Sequence, residues 1–210
     1  NRYYISRTGE NLNNAGFGPD NAVLTFSNSD EFVSGIPVTA AGAVYSDYFK
    51  GPRALASFTQ PPQIASRPSQ DFWVINDDED QAIQVQHIQF QEGPFGAVYQ
   101  PIFYSTTDPN TTGYLQTANR FQSPVDIAFA GDASGYVFIA DAGVDSVYQF
   151  TSTGLEGVPP PPASTADLNA ISTIGGFSDL RAVAYYDRIL YVVDAQSGTI
   201  SRFKLTLDFE

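Results

Sequence analysis

The chain has no cysteine, no methionine, one histidine and one tryptophan among its 210 residues. The missing cysteines exclude a disulfide framework, a thiolate metal site and a Cys nucleophile. A lone imidazole, His87, argues against an ordinary zinc centre. Basic residues are scarce too. Ten Lys and Arg stand against 23 Asp and Glu, for a net charge of −13. Such a chain repels phosphate backbones, so nucleic acid is not an expected partner, and neutral molecules, cations or metal ions suit it better. No apolar run approaches the ~18 residues of a membrane helix, and the first residues do not read as a signal peptide, which a processed protein would have lost. Position 1 is Asn rather than Met, so earlier residues are expected to precede it in translation.

What is present points to strands. Hydrophobic residues make up 42% of the chain, with 16 Phe and 12 Tyr, enough for one sizeable core rich in β-formers. Residues 123–150 are the clearest stretch. Pro124 to Phe129, Tyr136 to Ala140 and Ser146 to Phe150 read as three strands. Turns rich in Gly, Asp and Ser separate them, at 131–135 and 141–145.

The remaining segments follow the same style. Residues 21–27 form a strand, 28–50 an irregular excursion, and 52–58 open a second unit. That unit contains the strand 72–76, the acidic turn Asp77-Asp78-Glu79-Asp80, and residues 82–90. In residues 82–90 the apolar positions change phase at Gln86-His87, which predicts a bulge. Residues 96–104 supply a fourth strand, placed at an edge by Pro101. Residues 105–120 read as a loop, and the four prolines at 159–162 as a stiff surface bridge. A strand at 168–175 follows, and 180–205 repeat the 123–150 pattern.

Set side by side, Asp141 and Asp194 coincide, as do Val147 with Ile200 and Phe150 with Phe203, at an offset of 194 − 141 = 53. An earlier copy aligns Trp73-Val74-Ile75-Asn76-Asp77, which places Asp77 with those aspartates. First strands carry a small residue at the same place: Ala56, Ala128 and Ala184. A period of this size with about four strands per unit predicts an all-β fold, a β-propeller of four-stranded antiparallel blades, with about three to four blades in this chain. The second strands are apolar on both faces, which face-to-face blades satisfy. The aspartate closing each second strand is expected to accept backbone N–H groups of its turn.

These units resemble the NHL-repeat family of six-bladed propellers, on the pattern P-x-x-I-A, a Y-V-x-D-like strand and a third strand ending in Phe. The resemblance covers about three units. It implies one propeller domain over 1–210 or part of one, with units near 1–27 (partial), 52–104, 124–175 and 180–210. It also implies that residues 1–6 are the third strand of a blade. Missing N-terminal residues or another chain would then complete the ring.

Candidate chemistry is acidic. Asp77, Asp78 and Asp80 offer hard oxygens for Ca2+, without the spacing of a known calcium loop; the plain alternative is a solvated turn. In a propeller this turn shares one end with the blade-linking loops. Glu79, Asp141, Asp145, Asp179, Arg181 and Asp194 are therefore expected to gather there as a binding surface, with Arg120 nearby. Asp126, on an inner strand, is the best axial candidate for the metal that the resemblance to gluconolactonase-like propellers implies. Its counterparts Ala54 and Ala182 provide no matching ligands. His87 reads as structural, because no G-x-S-x-G elbow accompanies it. No catalytic residue is assigned. The expected function is a non-enzymatic, protein-binding scaffold of an exported or cell-envelope complex, peripheral or lipid-anchored. The alternatives are a metal-dependent hydrolase or lactonase and a carbohydrate-binding accessory protein.

Overall fold

The computed structural model describes residues 2–7, 22–27, 32–36, 51–57, 72–77, 84–93, 96–101, 121–130, 136–151 and 170–205. They form four antiparallel sheets, each a meander in chain order. The first contains β1 (Arg2–Arg7), β2 (Ala22–Ser27) and β3 (Phe32–Ile36). The second contains β4 (Pro52–Ser57), β5 (Phe72–Asn76), β6 (Val85–Gly93) and β7 (Gly96–Pro101). The third contains β8 (Pro124–Ala130), β9 (Tyr136–Asp141), β10 (Ser146–Thr151) and β11 (Ser172–Ile174). The fourth contains β12 (Leu180–Tyr186), β13 (Ile189–Asp194) and β14 (Thr199–Lys204). No helix occurs among the described residues, so none there is long and apolar enough to cross a membrane.

The sheets stack face to face as the blades of a β-propeller. First strands lie side by side along the inner edge, β1 against β4, β4 against β8, and β8 against β12. Successive side chains of a strand point to opposite faces, so each inner sheet serves two cores. Trp73, Ile75 and Val85 pack against Ile127, Ile139 and Phe150 of the third sheet. Phe72, Val74 and Ile88, on the other face, pack against Val23 and Tyr4 of the first. Phe138, Ala140 and Val147 meet Leu180, Leu190 and Val192 of the fourth sheet. Burying one such side chain contributes about 1.5–3 kcal/mol.

This double burial explains a difference from expectation. β6 pairs with β5 in unbroken register from Ile75↔Val85 to Phe72↔Ile88. The change of phase at Gln86-His87 needs no bulge, because Val85 and Ile88 belong to different cores on opposite faces. Irregularities occur elsewhere, and they recur. The register shifts between Pro52 and Ala54, Pro124 and Asp126, and Leu180 and Ala182. The first strands of the second, third and fourth sheets thus bulge at their second residue, Arg53, Val125 or Arg181.

Two further differences lie at the start of the chain. β1 is not a closing third strand. It lies beside β4 and leads into β2 and β3, so it takes the inner position of a sheet of its own. The segment 28–50, expected to be irregular, supplies β3. Pro101 stands at the end of edge strand β7, opposite Ile88, as its missing N–H requires. The polyproline bridge at 159–162 and the loop over 105–120 lie outside the described residues.

Candidate functional site

Three structural features meet at one end of the second, third and fourth blades: the start of the first strand, the end of the second and the turn into the third. Register fixes their equivalence, with Pro52↔Asn76, Pro124↔Asp141 and Leu180↔Asp194 paired. Asn76 is therefore the counterpart of Asp141 and Asp194. Asp77 lies one residue beyond, where the other blades have Ala142 and Ala195. The backbone agrees, since Asp77 N donates to Gly51 O at 2.8 Å, Ala142 N to Ser123 O at 2.9 Å, and Ala195 N to Asp179 O at 2.9 Å. Gly51 suits this approach. Its φ is +69°, and a Cβ there would lie 3.2 Å from Asp77 O.

Asp141 and Asp194 are buried at these ends, 1% and 5% exposed. Asp141 accepts N–H bonds from Gln122 at 2.9 Å, Ser123 at 2.8 Å and Gly143 at 3.0 Å. Asp194 accepts them from Ser178 and Asp179, each at 3.1 Å, Gln196 at 3.2 Å and Ser197 at 3.4 Å. Each carboxylate ties its own turn to the strand that enters the blade. Burial raises the Asp194 carboxyl, but the N–H donors from Ser178, Ser197 and Asp179 outweigh it and hold the group below its ordinary range.

Asp145 takes a left-handed backbone, φ 47°, at the turn position held by Gly198, φ 64°, in the next blade. Aspartate tolerates this conformation better than most residues. Its carboxylate accepts the Leu180 N–H at 3.0 Å, across to the fourth sheet. The corresponding strands β4 and β8 begin with Pro52 and Pro124, which have no N–H to satisfy.

Asp126 makes a second link between the same two sheets. Its carboxylate accepts the N–H of Ile127 at 2.9 Å and, across the inner edge, that of Val183 at 2.9 Å. Burial lifts this carboxyl above its ordinary range, and the bonds from Val183 and Ile127 offset part of the rise. Asp126 therefore stitches two inner strands together, with one backbone N–H on each carboxylate oxygen.

Asp179, half-buried, and Asp77, exposed, are paired with arginines. Arg181 forms a bidentate contact with Asp179, Nε to Oδ1 at 2.7 Å and Nη2 to Oδ2 at 3.0 Å. Arg53, its equivalent at the bulge, lies 3.6 Å from Asp77. Asp77, Asp141, Asp145, Asp179, Arg181 and Asp194 thus do share one end of the blades. Asp78, Glu79, Asp80 and Arg120 lie outside the described residues. Among the described residues, no group of three or more His, Cys, Asp or Glu side chains is gathered as a metal would need.

Gln84 was not singled out by its sequence. It is buried, and its amide clamps the backbone of Phe121: Nε2 donates to Phe121 O at 2.6 Å and Oε1 accepts from Phe121 N at 2.9 Å. This links the second sheet to the entry of the third. A polar residue beside Val85 at the head of a third strand was the available signal, shared by Ser146 and Thr199.

Fold and edge together define an all-β, propeller-type protein whose blades are joined by side-chain-to-backbone clamps. No family model and no curated protein matches the chain. Similar solved structures include a chain of the nidogen/laminin complex, at 12% identity and TM-score 0.46, covering 88% of this chain and 51% of that one. A functionally unknown protein from Desulfotomaculum acetoxidans matches at 14% identity and TM-score 0.45, covering 88% and 48%. A chain from Bacteroides uniformis, provisionally assigned as a 6-phosphogluconolactonase, matches at 13% identity and TM-score 0.45, covering 98% and 64%. The chain spans less than two thirds of the length of each of these proteins.

Proposed function

We propose that the chain is an NHL-like β-propeller segment serving as a non-enzymatic, protein-binding scaffold in an exported or cell-envelope complex. The observation that carries this reading is the use made of the acidic side chains. An active or metal centre needs carboxylates with lone pairs free for substrate or cation. Asp126, Asp141 and Asp194 instead hold backbone N–H groups. What the blade ends offer outward is a rim of charge pairs, Arg53 with Asp77 and Arg181 with Asp179. Arginine at such a rim suits recognition of a protein surface.

The test is affinity purification of the chain from the envelope of its producing cells, with lactone-hydrolysis assays in Ca2+, Mg2+ and Zn2+ alongside. A stoichiometric protein partner lost on Arg53→Glu and Arg181→Glu substitution is expected. Metal-dependent turnover, or saturable sugar binding with no protein partner, overturns the reading. Calcium enters only as an accessory ion at Asp77, Asp78 and Asp80. Equilibrium Ca2+ binding to the wild type and to the triple Asp→Asn variant decides that point.

A further inference from the structure

We draw no further inference here: the strongest candidate, the two exposed arginines Arg53 and Arg181 at the bulged starts of β4 and β12, belongs to the blade-end surface already described, where Asp77 and Asp179 engage them.

Discussion

The carboxylate of Asp126 on β8 accepts the backbone N–H of Val183 on β12 at 2.9 Å, across the inner edge of two adjacent blades. No sheet hydrogen bonding joins these sheets, so this side chain supplies a bond that the fold's ladders do not.

Asp126→Ala should destabilise the chain by about 1–2 kcal/mol, the cost of leaving the Val183 and Ile127 N–H groups without an acceptor at a partly buried site. Urea unfolding followed by tyrosine fluorescence measures it. Amide exchange at Val183 should accelerate in the variant more than exchange at Leu190 in the hairpin core.

The two clamping carboxylates should respond to pH in opposite directions. Burial raises the Asp126 carboxyl in the folded state. The part of its stability linked to protonation is therefore fully present below the unfolded value near pH 4, and that part is lost as pH rises through the folded value. Asp194 is held low. Its contribution is present above the unfolded value and is lost as pH falls through the folded one. Stability difference curves for wild type minus Asp126→Asn and wild type minus Asp194→Asn should slope oppositely through this acid range.

Asp141→Ala should cost more than Asp126→Ala, about 2–4 kcal/mol. Three N–H groups lose their acceptor at a site only 1% exposed. Asp141→Asn keeps one acceptor oxygen and should recover part of the loss. Equal costs for Ala and Asn would show that the carboxylate's bonds contribute nothing.

Gln84→Glu separates a hydrogen-bond clamp from simple packing. The substitution keeps the shape but sets a carboxylate oxygen against Phe121 O, where Nε2 now donates. The variant should be destabilised by about 2–3 kcal/mol at neutral pH. It should recover in acid, where a protonated glutamic acid again donates. Its folded-state pKa is raised, so the recovered stability is present below the unfolded value and lost as pH rises. A pH-independent loss would assign Gln84 to packing alone.

Gly143→Ala should destabilise by about 1–3 kcal/mol. A Cβ there would collide with Gln122 Cβ and lie 3.0 Å from Ser123 N, within the loop that Asp141 holds. Thermal unfolding measures the loss.

Much of this fold was legible in the sequence because its periodicity reflects physical necessity. Ala56 and Ala128 recur where inner strands crowd, and Asp141 and Asp194 recur where a turn needs an acceptor. The alignment slipped at Asp77 because the second blade places Asn76 at the clamping position. An acidic neighbour one residue later attracted the match. The bulges at Arg53, Val125 and Arg181 had no shared residue type to announce them. β6 misled for a different reason. A strand covered on both faces carries no reliable phase, so Val85 and Ile88 looked like a slip when each was filling its own core. Of the residues expected at one blade end, Asp141 and Asp194 were legible as turn acceptors because they recur at the same place in two units. That Asp126 and Asp145 reach across to another blade was not, because those contacts span 57 and 35 residues.

The junctions also make the blades a directed series rather than a set of interchangeable tiles. The third sheet ends its turn with Asp145, an acceptor that fits only a successor whose first residue has an N–H, as Leu180 does. The second sheet instead offers Gln84, which grips the approach at Phe121 and leaves Pro124 to start the strand. Exchanging the third and fourth sheets would part Asp145 from the Leu180 N–H and leave both without that bond. A repeated strand pattern and register give the sheets their likeness. Their order is kept by these few mismatched couplings, so the chain can be lengthened or permuted only where a coupling travels with its partner.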